Sequence, residues 1–566
     1  MEISLPFGRL AATAACLLLC TCAAGPQFEA SATMRPPNPA LGAFLAAHYA
    51  EAVNDQAQAA YYYARALNAD PANQELREDG FMAGLLAGSG QAADIAPHLP
   101  GNTLAQLYLA NEAITDGDYA KATTLFKTLP NDQLAHLIAP LLRAWADFGQ
   151  GHEQGALDLL RPNFDNGPFG VVYRLNAALI ADAAGDRLRA AQLYSQIPTE
   201  SPNLRLAQIL SSWYARQGHI AQADAVLDAL VAAHPDFEIA LPQLRHQMHE
   251  PVIATPAQGV AEAYLTLAAS LSEPQAMFLR VVFLRLALEV QPDLSSARLI
   301  LASTQMDNGA SDTPPTPIQI RNALATLAPI QPGDPLYSAA MVQKASLHAM
   351  LGETDKAVSL LTQLLASAPN NPGLLAAMGD IRRDANQFAR ALPYYQQAIS
   401  LLGAPPPETA WPLFFDLGIC QDQTGDWQAA EPNIEEALKL SPNQPYVLNY
   451  LAYRWAQQGK NLAQAQDMLQ KALSLDPNDS VVLDSLGYVE LQRGNAAQAL
   501  TLLTQAAQLA PQDAQINAHL GDAFALAGQN LQAVYQWDRA LALGPDQGLK
   551  AALTTRIQQT LSVMHP

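Results

Sequence analysis

The chain has 566 residues, half of them apolar and only 7% aromatic, with 31 Lys and Arg against 52 Asp and Glu for a formal net charge of -21. Ala, Leu and Gln dominate, a mixture that favours helices. So few and so scattered basic residues argue against a nucleic-acid partner, which needs clustered Lys and Arg to release counterions; the acidity itself keeps a long molecule soluble and names no partner.

Residues 1–22 read as an export signal: Arg9 and the terminal amine lead into an uncharged apolar run from Leu10 to Cys22. The run is short for a membrane span, which needs roughly 20 apolar residues. Two ends are open. Leu19-Cys20-Thr21-Cys22, followed by Ala23-Ala24-Gly25, resembles bacterial lipoprotein signals, which would make Cys22 the lipid-modified first residue, although Thr21 departs from the usual Gly, Ala or Ser. Ala30-Ser31-Ala32 is the alternative, a site for ordinary cleavage that would release a freely soluble exported protein. Cys16, Cys20 and Cys22 all sit in the signal and only Cys420 lies beyond it, so no internal disulfide is available. Cys420 falls in a helical pattern and reads as a core residue. Residues 23–38, with Pro36 and Pro37 among small polar residues, read as a flexible tether.

From 39 to 237 the chain shows a loose repeat: Ala59, Tyr63, Ala66 and Pro71, then Gly117-Asp118-Tyr119, Ala122 and Phe126, then Gly185-Asp186, Ala190 and Tyr194, then Gly218, Ala223, Leu227 and Pro235. Residues 238–337 keep helical periodicity and lose the grid, as do 73–100 and 131–166. Pro242 to Gly259 is a candidate joint between two superhelical segments, and the Pro-rich stretch 307–317 reads as an insertion between the helices of one degenerate repeat. From 338 to 547 the grid is regular. Two 34-residue blocks, 480–513 and 514–547, match in register: Leu486-Gly487 with Leu520-Gly521, Gly494 with Gly528, Ala499 with Ala533, Ala506 with Ala540 and Pro511 with Pro545. Residues 548–566 read as a capping helix.

This period and these positions resemble the tetratricopeptide repeat, and the resemblance covers nearly all of the chain after the leader. It implies an all-α superhelical solenoid of about a dozen helix pairs, in two segments, because such a pair cannot bury its apolar stripe alone. More narrowly, Leu448-Asn-Tyr-Leu-Ala-Tyr, Leu483-Asp-Ser-Leu-Gly-Tyr and Ile516-Asn-Ala-His-Leu-Gly-Asp resemble the C-terminal repeats of a bacterial envelope family of tetratricopeptide lipoproteins. Some members of that family are adaptors for carboxyl-terminal processing proteases that trim cell-wall hydrolases. The resemblance implies a non-enzymatic adaptor on the periplasmic side of the envelope, an outer-membrane lipoprotein touching the membrane only through its lipid anchor, with an envelope protease or cell-wall hydrolase as protein partner. The alternative is an assembly or export factor for secreted polysaccharide or outer-membrane proteins.

In that architecture the first helices line the concave side, so positions 2, 5, 9, 12 and 13 of each unit face a groove. The groove candidates are Tyr446, Asn449, Tyr453, Asp484, Tyr488, Gln492 and Asp522: tyrosine gives contact area with a polar tip, and Asn, Gln or Asp can meet an extended main chain. Packing of Tyr453 and Tyr488 between helices is the competing reading. The groove positions of the last three repeats hold no Lys or Arg, so capture of a terminal carboxylate is not expected there.

A catalytic site is not expected. The chain has no Gly-x-Gly-x-x-Gly, no phosphate loop, no Gly-x-Ser-x-Gly elbow and no His-Glu-x-x-His. His246 and His249 lack further ligands at a plausible spacing, and neither metal nor cofactor is expected. A hydrolase with an unrecognised site is the third function class, and activity of the purified protein alone would favour it.

Overall fold

The computed structural model describes residues 39–198, 202–271, 273, 276–307 and 314–564; the readings made for residues 1–38, Cys22 included, and for 308–313 lie outside them. Among the described residues every regular element is a helix. The first segment pairs α1 (Pro39–Ala52) with α2 (Gln56–Ala69), α3 (Gln74–Ala87) with α4 (Gln91–Ile95), α5 (Thr103–Thr115) with α6 (Tyr119–Lys127), α7 (Gln133–Gly149) with α8 (Glu153–Leu160), α9 (Gly170–Ala183) with α10 (Arg187–Tyr194), and α11 (Leu204–Arg216) with α12 (Ile220–Ala233). A 3-10 turn, Pro235–Ala240, and α13 (Leu241–Gln247) lead to α14 (Pro256–Ala269) and α15 (Met277–Val290), then to α16 (Ser295–Met306) paired with α17 (Pro317–Leu327). The second segment pairs α18 (Tyr337–Met350) with α19 (Thr354–Ser367), α20 (Pro372–Asp384) with α21 (Phe388–Ser400), α22 (Trp411–Gln423) with α23 (Trp427–Leu440), α24 (Pro445–Gln457) with α25 (Leu462–Leu475), α26 (Ser480–Gln492) with α27 (Ala496–Leu509), and α28 (Ala514–Leu526) with α29 (Asn530–Ala542). The last helix is α30 (Gln547–Met564). This is a tetratricopeptide-repeat solenoid.

Local chemistry sets each unit. Asp426, Asp479 and Asp513 accept hydrogen bonds from the backbone N–H of Ala429, Val482 and Ile516 and so start α23, α26 and α28. The turn inside each pair of the second segment holds a left-handed residue; where the α20–α21 turn lacks glycine, Asn386 adopts it with φ 56°. The paired helices touch where the first has no side chain: a Cβ on Gly487 would lie 2.5 Å from Leu503 Cγ, and one on Gly521 2.4 Å from Trp537 Cδ1. Ala499 and Ala506 are fully buried, at the positions where neighbouring helices must approach.

The α14–α15 pair is not stacked in the row. α14 packs on α5, α7 and α9, and α15 on α3 and α5. All of these are first helices of their pairs, so the hairpin fills the concave side of the first segment. The reason lies in α14 itself, where every residue from Gly259 to Ala268 is buried; a helix apolar all round needs enclosure on all sides. Gly259 lets it lie flat on the indole of Trp145, 2.2 Å from where a Cβ would sit. Thr255 and Gln258 form a capping box, and Pro256 occupies the first turn. Three polar pairs lie inside the contact: the Tyr264 hydroxyl donates to Asn111 Oδ1 at 2.9 Å, Trp145 Nε1 to Asn176 Oδ1 at 2.8 Å, and Arg205 Nε to the fully buried Glu262 at 2.7 Å, while Asn111 Nδ2 and Glu262 Oε1 have no partner among the described residues. Asn322 Nδ2 on α17 donates to the Asn54 carbonyl at 3.1 Å, joining α17 to the α1–α2 turn across 268 residues of chain.

Candidate protein-binding groove

The second segment keeps its concave side open over most of its length. The 3-10 turn Pro235–Ala240 packs on α18 and α20 and covers the groove there. Beyond it the wall passes to α22, α24, α26 and α28, with α24 directly against α26 and α26 against α28.

Two aromatic groups stand on this wall. Tyr446, 52% exposed, lies over Trp411 and Phe415 with ring centroids 5.6 and 5.8 Å away. Starting from the same helix α24 and running to α28, Tyr453, Tyr488 and His519 form a row of mutually tilted rings, with centroids 5.2 Å apart for Tyr453–Tyr488 and 4.6 Å for Tyr488–His519. Tyr453 and Tyr488 are half-buried, so each both packs between repeats and presents an edge to the groove. Burial pushes the Tyr453 hydroxyl up to about 12, with the Asp484 carboxylate adding to the shift.

The carboxylates of the wall are tied to basic side chains one repeat away. Asp484, buried on α26, places both oxygens 2.9 Å from His519 Nδ1 on α28. Asp422 accepts from Arg454 Nη2 and from the Tyr450 hydroxyl, each at 2.6 Å. Asp522 accepts from Arg556 Nη1 at 2.9 Å and from Trp537 Nε1 at 3.0 Å, so α30 takes the place of a further first helix. Arg383 pairs with Asp416 across the α20–α22 contact.

Of the seven groove candidates, Tyr446 and Gln492 are exposed, Tyr453 and Tyr488 half-exposed, and Asn449 partly buried, with an Oδ1 that has no partner among the described residues. Asp484 and Asp522 are committed to His519 and Arg556 and hold adjacent first helices in register. His519, Arg454 and Arg556 are the groove residues that the repeat grid missed; each lies 32 to 35 residues from its acid, so acidic and basic residues one period apart are the available signal. Cys420 is buried and its thiol is pushed up to about 12 by burial, which leaves it unreactive. Among the described residues no cluster of three or more His, Cys, Asp and Glu could hold a metal ion, and no helix is long and apolar enough to cross a membrane.

Family models for the tetratricopeptide repeat match residues 339–371, 374–407, 415–480 and 485–548. No curated protein matches the sequence. Among solved structures the chain is similar to the APC/C hetero-tetramer Cut9–Hcn1, at 14% identity over 92% of this chain and 96% of that one with a TM-score of 0.39. It is similar to yeast Tom70 at 13% identity, over 93% of this chain and 96% of that one, with a TM-score of 0.35. A tetratricopeptide repeat protein from Parabacteroides merdae ATCC 43184 is 15% identical over 43% of this chain and 93% of its own, with a TM-score of 0.34. At these scores no partner and no activity carries over from them.

Proposed function

We propose that this protein is a non-enzymatic scaffold that holds a partner protein in the groove of its second segment, and that it does so in the bacterial cell envelope, bringing a protease or cell-wall enzyme to its substrate. The observation that carries the reading is the contrast between the two concave faces. The first is filled by the chain's own α14–α15 hairpin; the second exposes Tyr446, Tyr453, Tyr488 and Gln492. Aromatic side chains with polar tips, set on a rigid helical wall, are the groups that bind protein surfaces with little loss of side-chain freedom.

The envelope setting rests on the leader and on the resemblance of the last repeats to envelope adaptors. Affinity capture of the full chain from detergent-solubilised bacterial envelope tests both parts. The reading expects a protease or wall hydrolase that is lost with the double variant Tyr453→Ala, Tyr488→Ala while the helical circular dichroism stays unchanged. Recovery of an export component in its place would favour the assembly role, and retained binding by the double variant would move the site away from this groove.

A further inference from the structure

The charge pattern of the open groove points to the chemistry of its occupant. Residues 338–564 carry 13 Lys and Arg against 20 Asp and Glu. On the groove wall, Arg454 and Arg556 are each neutralised by one carboxylate of the chain itself. The α20–α22 end is different. There one guanidinium, Arg383, serves three carboxylates: Asp416, Asp384 at 2.9 Å and Asp380 at 3.5 Å. Two negative charges stay uncompensated, and the Asp384 side chain is 64% exposed. Beside this end stands the Trp411–Phe415–Tyr446 group, whose Tyr446 hydroxyl feels the Asp416 charge. Burial pushes Asp416 up to about 6 against the pull of Arg383, with the neighbouring Asp380 adding repulsion.

An aromatic surface next to excess carboxylate suits a lysine or arginine side chain, which can stack its stem and cation on the rings and pair its charge with the acids. Further along, Gln423, Gln457 and Gln492 occupy the same position in three successive repeats, all exposed. Each bonds a tyrosine of the wall, and Gln457 Oε1 also accepts from Arg454 Nη1; an amide has two N–H donors and two acceptor lone pairs, so each keeps capacity for an extended main chain. We infer that the groove takes an extended protein segment bearing lysine or arginine, with its cationic side chain seated against Tyr446 and the Asp384–Asp416 carboxylates. The inference rests on this groove being the binding face and adds the sign of charge that it selects. Packed helices lie about 8–10 Å apart and an extended chain rises about 3.3 Å per residue, so one repeat spans about three residues of ligand.

The test uses the full chain and three fluorescent peptides, acetyl-(Ala-Lys-Pro)4-amide and its Gln and Glu counterparts, with fluorescence anisotropy as the readout. The Lys peptide should bind about tenfold more tightly than the Gln peptide and lose that margin in high salt, while the Glu peptide binds weakest. Asp384→Lys, at an exposed position that leaves the fold intact, should erase the preference, and Tyr446→Ala should weaken the Lys peptide about tenfold. Equal binding of all three peptides, or tighter binding of the Glu peptide, overturns the cationic preference. The groove reading survives that result if binding is still lost in Tyr453→Ala, Tyr488→Ala. Absence of binding by every peptide also overturns the preference, and the envelope capture then decides the groove reading separately.

Discussion

Replacing Glu289 by Gln should stabilise the first segment in a pH-dependent way, because this carboxyl is enclosed when α15 enters the concave side of α3 and α5. Its ordinary value of 4.5 is pushed up to about 8, mainly by burial, with Glu112 adding repulsion and Asn111 opposing. Arg285, on the same helix, is itself pushed down to about 10 by burial, and Oε2 of Glu289 has no partner among the described residues. A carboxyl with a raised folded value holds a proton that the unfolded chain has lost. Its contribution to stability is therefore complete below about pH 4.5 and disappears as pH rises through about 8. At about 1.4 kcal/mol per pH unit, reduced for residual solvent access, the wild type should lose about 2–3 kcal/mol between about pH 5.5 and about pH 8.5 that the Gln variant keeps. Hydrogen exchange of residues 277–290 along a urea titration, at both pH values, reads this directly, since α15 can be followed apart from the rest of the solenoid. A stability gap between variant and wild type that is the same at both pH values would refute the enclosure of α15.

Two further outcomes follow from particular contacts and one from the leader. Gly521→Ala places a methyl against the indole of Trp537 and should cost about 1–3 kcal/mol despite the better helix propensity of Ala, seen as a lower thermal midpoint with a shifted Trp537 emission. Asp522→Ala removes the acceptor shared by Arg556 and Trp537 and should release α30 at a cost of about 1–3 kcal/mol, with faster exchange across residues 547–564 and little change before residue 480. Acylation at Cys22 predicts incorporation of labelled palmitate into the wild type that is absent from Cys22→Ser; an unlabelled, soluble wild type would contradict the anchor.

The regular half of the solenoid is legible in the chain because its demands fall on single positions that spacing reveals. Gly487 and Gly521 must lack a side chain, Ala499 and Ala506 must be small, and Asp479 and Asp513 must cap. The hairpin is less legible. The segment from 256 to 290 has helical periodicity, but whether a helix joins the row or enters the groove depends on which surfaces remain uncovered after the row has formed. A local trace existed: from Gly259 to Ala268 the only ionisable side chains are those of Glu262 and Tyr264, so α14 has no face suited to water. The groove shows the same division. Tyr453 and Tyr488 could be placed from the grid, whereas the commitment of Asp484 to His519 and of Asp522 to Arg556 needs two repeats to be read together, because each pair joins residues a full period apart.

On the proposed function, partners bind the open groove of the second segment and leave the first segment free. Site-specific photo-crosslinking in intact cells tests it most directly, with the reactive side chain placed at Gln457 or Gln492 in the open groove, and at Leu188, which is 88% exposed at the start of α10, for comparison. Discrete adducts are expected from Gln457 and Gln492 and none from Leu188. Adducts from Leu188 with none from the groove positions would contradict it.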